Sequence, residues 1–458
     1  MYIQQLYTNC LAEAAYYIES AGEAAIIDPL RETDPYISLA NERGAAIKYV
    51  FETHFHADFV SGHIDLSRAV NAPIVYGPEA NTAYEVYNAK DGEEFKLGKV
   101  RIRVLHTPGH TPESSCYLLL DENGREHAIF TGDTLFVGDV GRPDLLDGHI
   151  SSETLAGMLY DSLQQKIKTL PDDVIVYPAH GPGSACGKSI GQETFSTIGE
   201  QKKFNYALQE MSRDEFIEKV TEGILPPPAY FFEDARINKM GYTPIEDVIR
   251  ENSKPLTVEE FREAVDNGAL ILDTRPAEVF EKGFVPGSIN IGLNGQFAVW
   301  VGTLVDIQRD LVLVTETGKE EESILRLARV GYEKITGYLN RGVDTYDGAL
   351  DQVETIEGAG VEAEMEKGAT VLDVRKPNEW NVAHMKGATF LPLSDFPDNL
   401  NGLDKSAKYI VHCGGGYRSM TAISIMKKAG FKDLINIRGG FGSMQKAGVD
   451  IVTEELTV

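Results

Sequence analysis

The sequence predicts an α/β chain built as one larger N-terminal domain followed by two small domains with parallel sheets. Three observations predict it. The 458 residues exceed what one hydrophobic core organises and correspond to about three domains of ordinary size. Short apolar runs alternate with polar loops over residues 1–180. Past residue 250 the chain repeats itself. "LDTRPAEVFEKGFVPGSINI" begins at Leu272 and "LDVRKPNEWNVAHMKGATFL" at Leu372, sharing L-D-x-R and a matching glycine, Gly287 and Gly387.

The runs "AAYYIES", "EAAIID", "IKYVFET", "VRIRVLHT", "HAIFTGD" and "VIVYPAH" read as strands, and the last four lead into His or Asp. Rigid strands aim the side chains at their exits toward a common point, which is where α/β sheets build sites. Residues 193–242 read as helices closing the domain, and their end, "PPPAYFFEDARINKMGY", is expected to be a docked inter-domain connector, the alternative being the lining of a substrate entrance. In both copies of the repeat, strand runs alternate with amphipathic helices, the pattern of a parallel sheet. The polar stretches "RENSKPLT" and "DQVETIEG" separate the pieces, so the expected domains are 1–243, 253–350 and 355–458.

With 42% apolar and 25% charged residues, each domain has a core to bury. The formal charge of −27 leaves no basic face for phosphate backbones or anionic membranes, so neither nucleic acid nor membrane is an expected partner. The first Lys or Arg is Arg31 and no long apolar run follows it, so a soluble, cytoplasmic protein is expected, as a homo-oligomer. Cys10, Cys116, Cys186 and Cys413 form no C-x-x-C pair and are expected as free thiols.

His54 and His56 lie two apart in "THFHADFVSGH", and His110 ("HTPGHTP"), Asp133 ("FTGDT") and His180 ("YPAHG") stand at later strand exits. Imidazole and carboxylate at convergent positions are the ligand types for Zn, Fe or Mn. Phe59 stands where a two-metal hydrolase places a further histidine after Asp58. A phenyl ring cannot coordinate, so a second metal between Asp58 and His180 lacks a ligand and one metal is expected. His63, four residues downstream, is the alternative donor, although "IDLSRAV" places it on a helix face.

"THFHAD", "TPGHTPES", "FTGDTLFVGDVGRPD" and "YPAHG" resemble the metallo-β-lactamase superfamily over residues 1–240, which implies an αββα sandwich. With its single metal, the site is similar to the persulfide dioxygenase branch. That resemblance implies one Fe(II) per chain on His54, His110 and Asp133, with His56, Asp58 and His180 orienting ligands or waters. Such a set leaves room for a persulfide sulfur and O2 side by side, whereas Zn(II) has no redox chemistry. Arg142 in "GDVGRPD" is expected either to fork onto the carboxylate of a thiol substrate such as glutathione persulfide or to hold the turn through Asp144. Cys186 in "GPGSACGK" is expected near the metal mouth, as a sulfur relay or as an inert buried thiol.

In "YIVHCGGGYRSMTAISIMKKAG" a strand leads into Cys413, then Gly414, Gly415, Gly416, Tyr417 and Arg418, with Ser419 opening a helix. Glycines let backbone N–H groups turn inward and a helix N-terminus adds positive potential, a cradle for a thiolate or bound anion. With "LDVRKPNEW" upstream, residues 355–458 resemble the rhodanese family. Four residues separate Cys413 from Arg418, one fewer than in cysteine phosphatases, which suits a sulfane sulfur better than phosphate. The resemblance implies that Cys413 carries the sulfur with Arg418 beside it. In the first copy, "LVLVTETGKEEES" puts Thr315 at the place of Cys413, so residues 253–350 are expected to lack sulfurtransferase chemistry.

The whole chain is similar to fusions of persulfide dioxygenase with rhodanese domains used in sulfide detoxification. This implies oxidation of a persulfide R–S–SH by O2 to sulfite, and sulfur exchange through Cys413 to give thiosulfate. The alternatives are a glyoxalase II-like thioester hydrolase with two metals, which Phe59 opposes, and a non-catalytic persulfide relay through Cys413.

Overall fold

The computed structural model describes residues 1–145, 150–224 and 226–453. The chain forms two compact units, Met1–Val248 with Ala328–Gly331, and Ile249–Leu327 with Tyr332–Val458. Among the described residues no helix is long and apolar enough to cross a membrane.

The first unit holds two six-stranded sheets. One contains β1 (Tyr2–Thr8), β2 (Glu13–Ser20), β3 (Glu23–Ile27), β4 (Ala46–Phe51), β5 (Ile74–Tyr76) and β6 (Tyr87–Asn88), in that spatial order. The other contains β7 (Glu94–Leu97), β8 (Val100–His106), β9 (Ser115–Leu120), β10 (Glu126–Gly132), β11 (Ile175–Pro178) and β12 (Ser196–Thr197), also side by side in chain order.

Strand alternation dictates the layers. Ala14, Tyr16 and Ile18 of β2 share one core with Val104, Tyr117, Leu119 and Phe130 of the other sheet. Their neighbours Ala15 and Tyr17 face outward, onto Tyr36 and Ala40 of the helix Asp34–Arg43 and Leu66 of the helix His63–Val70. On the far side Cys116, Leu118 and Leu120 pack against Ala156 and Leu159 of the helix Ser152–Ser162 and Phe216 of the helix Arg213–Thr221. Helix, sheet, sheet, helix is therefore the order, the αββα sandwich expected from the sequence. Within the stretch "PPPAYFFEDARINKMGY" lies the helix Tyr230–Met240, one of the helices expected to close this domain, which buries Tyr230, Phe231, Asp234 and Asn238.

The second unit holds two five-stranded sheets of one topology. β13 (Pro255–Leu256), β14 (Leu270–Asp273), β15 (Ile289–Asn290), β16 (Leu311–Val314) and β17 (Ile335–Leu339) lie in the order β13-β17-β16-β14-β15, all parallel. β18 (Glu354–Glu357), β19 (Thr370–Asp373), β20 (Ala383–Met385), β21 (Thr389–Phe390), β22 (Tyr409–His412), β23 (Leu434–Arg438) and β24 (Ile451–Thr453) follow. Of these, β18-β23-β22-β19-β21 repeat the parallel order, and β20 and β24 pair separately. The repeated L-D-x-R is an anchor within each copy. Arg275 forks onto Asp273 and reaches the Gly283 carbonyl, and Arg375 does the same with Asp373 and Ala383, all buried.

Candidate metal centre and reactive-cysteine loop

The metal loop leaves β4 at Glu52. Asp28, at the end of β3, accepts from the Thr53 amide (2.7 Å) and hydroxyl (2.8 Å) and so pins the loop's start. Because that hydroxyl donates to Asp28, it accepts from His54 Nδ1–H at 2.9 Å, which leaves His54 Nε2 a bare lone pair. His110 is set the same way, its Nδ1–H donating to the Arg142 carbonyl at 2.7 Å. Both Nε2 atoms face Asp133 Oδ2, at 3.8 Å from His54 and 3.4 Å from His110.

Neither Nε2 nor either Asp133 oxygen has a hydrogen-bond partner, and all three residues are buried. Two lone pairs and a carboxylate aimed at one another without a donor between them are the arrangement a cation stabilises. Burial, and then His56, His110 and His180, hold the His54 pKa well below its ordinary value, keeping it a neutral ligand. The donor set fits a metal ion.

His56, Asp58 and His180 form a second converging group beside the first. Burial opposes charge on His180, yet Asp58 and Asp133, each 3.5 Å from its Nε2, lift its pKa well above the ordinary value. Its Nδ1 faces the Ala12 carbonyl at 3.2 Å, and its Nε2, like those of His54 and His110, has no hydrogen-bond partner. His56 turns Nε2 toward Asp28 (3.2 Å) and Glu52 (3.7 Å), and the Phe59 ring covers its face with centroids 4.4 Å apart. Asn238 clamps the loop from the helix Tyr230–Met240, its amide donating to the carbonyls of His56 (2.7 Å) and Phe59 (2.8 Å). His63 opens its helix and lies 2.7 Å from the Tyr84 hydroxyl through Nε2, outside the converging groups among the described residues.

The Arg142 fork, which a substrate carboxylate or Asp144 was expected to fill, grips Asp144 with two 2.7 Å bonds. Its amide donates to Cys186 and its guanidinium to Ala185, so this residue joins the His110 ring to the loop that carries Cys186. Cys186 converges with Asp133 and His180, but burial, followed by Asp58 and Asp133, pushes its thiol up to about 12. A thiol so held is a poor nucleophile at neutral pH.

Cys413 follows β22, buried. The Gly416 amide donates to its sulfur at 3.1 Å, and Ser419 Oγ lies 3.7 Å away. Gly416 has φ +110°, open to glycine alone, and this turn points its N–H at the sulfur. Gly414 and Gly415 complete the loop, and a side chain at Gly414 would meet the Arg418 guanidinium at 3.2 Å. Arg418 itself forks onto Glu379 at 2.5 and 2.8 Å. The Tyr417 hydroxyl donates to the Gly292 carbonyl at 2.7 Å. Register places the first copy on the same frame. Asp273 pairs with Val314 as Asp373 pairs with His412, so Thr315 occupies the place of Cys413.

Asp28, Glu52 and Asn238 were missed from the sequence. Asp28 ends the run "EAAIID" and so carried the same strand-exit signal as Asp133, while Asn238 carried none.

The Metallo-beta-lactamase superfamily profile matches residues 8–180, and the Rhodanese-like domain profile matches 257–349 and 359–447. The chain belongs to the metallo-β-lactamase superfamily and continues into rhodanese-like domains. Mitochondrial persulfide dioxygenase ETHE1 of Homo sapiens is 31% identical over 207 residues, 45% of this chain and 74% of that protein. The probable hydroxyacylglutathione hydrolase glo2 of Schizosaccharomyces pombe is 32% identical over 206 residues, 40% of this chain and 75% of that protein. A solved metallo-beta-lactamase structure from Staphylococcus aureus subsp. aureus COL is 32% identical with a TM-score of 0.65, covering 74% of this chain and 98% of its own.

Proposed function

We propose that this chain is a persulfide dioxygenase with one Fe(II), coupled to sulfur transfer through Cys413. The observation that carries the reading is the convergence of bare His54 Nε2, bare His110 Nε2 and the unpartnered Asp133 carboxylate, with Phe59 closing over His56 where a second metal would need a donor. Likeness to ETHE1 supports the substrate class. Iron held by these three residues supplies what side chains cannot, binding of the persulfide sulfur and activation of O2.

The remaining work belongs to the chain. His180 Nε2 stands 3.5 Å from both Asp58 and Asp133, on the side of Asp133 away from the oxygen Oδ2 that the His54 and His110 pair shares. Arg142 holds the His110 ring and the Cys186 loop in register. The net reaction is R–S–SH + O2 + H2O giving R–SH, sulfite and two protons. The Cys413 thiolate takes the outer sulfur of a second R–S–SH, whose S–S bond breaks to release R–S⁻; sulfite then attacks that outer sulfur, the new S–S bond breaks, thiosulfate leaves and the thiol is restored. The Gly416 N–H stabilises the sulfur anion that departs.

Anaerobic purification, metal analysis and an oxygen electrode test the reading with glutathione persulfide. About one iron per chain, O2 uptake and sulfite or thiosulfate as product are expected. Two metals per chain, no uptake and hydrolysis of a glutathione thioester would overturn it in favour of the hydrolase.

A further inference from the structure

Among the described residues, none of the groups of His, Cys, Asp and Glu that could hold a metal falls in the Cys-less rhodanese-like domain. Thr315 replaces the cysteine, and Glu322 in the helix that follows is paired with Lys319 and Arg326. Yet the domain touches the other copy at a chosen place. The Tyr417 hydroxyl, on the residue directly after Gly416, donates to the Gly292 carbonyl. At Gly295 a Cβ would lie 2.5–2.9 Å from the Tyr417 ring, so only a hydrogen leaves space for that ring. The 292–295 segment is itself held, Leu293 donating to the Thr274 carbonyl (3.0 Å) and accepting from Arg326 (2.7 Å). A separate bond, from the Asn290 amide to Ser424 Oγ at 2.9 Å, joins the same two domains farther along the helix Tyr417–Lys428.

We propose that the Cys-less domain is a positioning element for Cys413: Gly292 and Gly295 seat Tyr417, and Tyr417 holds the Gly416 N–H on the Cys413 sulfur. Tyr417 is thus a positioning residue. The inference gives the first copy a role in the sulfur-transfer step and rests on the reading that Cys413 carries sulfur. Its structural content concerns thiolate reactivity alone, and can be tested apart from that reading.

The experiment is site-resolved alkylation of Cys413 in the full-length chain by iodoacetamide between pH 5 and 9, read by mass spectrometry. Tyr417→Phe removes the hydroxyl and Gly295→Ala displaces the ring. Both are expected to slow Cys413 alkylation at neutral pH roughly five- to tenfold and to move the rate profile to higher pH, the loss of one hydrogen bond to a thiolate. Ser424→Ala loosens the same pair of domains away from the loop and is expected to leave the profile of the unaltered protein. An unchanged profile in Tyr417→Phe, or an equal shift in Ser424→Ala, would overturn the proposal, the second outcome showing general packing to be responsible. Cys413→Ser separates the two readings: retained thiosulfate formation in that variant would remove Cys413 from the sulfur path and leave the alkylation result standing.

Discussion

Phe59→His returns an imidazole to the position where the metal loop lacks one. Phe59 is fully buried and stacks on His56. Exchanging phenyl for imidazole gives up about 1 kcal/mol of apolar burial and leaves a buried nitrogen unpartnered at about 2 kcal/mol. The metal-free variant is therefore expected to be about 3 kcal/mol less stable, roughly 6–12 °C in Tm for a unit of this size. A second cation reverses the sign. His56, Asp58 and His180 already converge, and the new imidazole, placed against His56, adds a donor beside them. Metal analysis with thermal unfolding, with and without added Zn(II) or Fe(II), reads both effects. The expected result is a rise from about one to about two metals per chain and recovery of Tm on adding metal. A variant that keeps one metal and gains no stability from added ion would refute position 59 as the determinant of metal number.

Other expectations follow from single residues. Burial, then His56 and Arg31, drop the His63 pKa from 6.5 to about 3, so its stabilising neutral form is fully effective above about pH 6.5 and the stability is lost as pH falls toward 3. His63→Gln should flatten that acid limb, seen as a smaller difference between urea midpoints at pH 7 and pH 5. Asp133→Asn should lower metal content more than tenfold while Cys413-dependent thiosulfate:cyanide turnover persists, and parallel losses of both would argue against separate sites. Arg275→Met leaves the Asp273 carboxylate buried without its fork and should cost about 3–5 kcal/mol in chemical denaturation; a neutral result would show that the L-D-x-R anchor carries no stability.

The strands of the first unit were legible as short apolar runs such as those of β2 and β9, buried along nearly their whole length, while which neighbour joined which core was decided by packing. Also legible were His54, His110, Asp133 and His180, which stand at strand exits, and the Cys413 loop, whose glycines announce a turned backbone. Thr315 was legible too, because the repeat supplies its own alignment. What faced what was another matter. Asn238 is 182 residues from the His56 carbonyl it clamps, and Gly292 is 125 residues from the Tyr417 hydroxyl it receives. That the Arg142 guanidinium closes on Asp144 with two bonds is likewise a matter of packed geometry. The sequence by itself determined which groups could bind a metal or carry sulfur, since that is a property of residue type and local spacing. The tertiary structure alone decided which lone pairs were left bare and which were satisfied, because a hydrogen bond is settled by distance and direction between atoms the chain holds far apart.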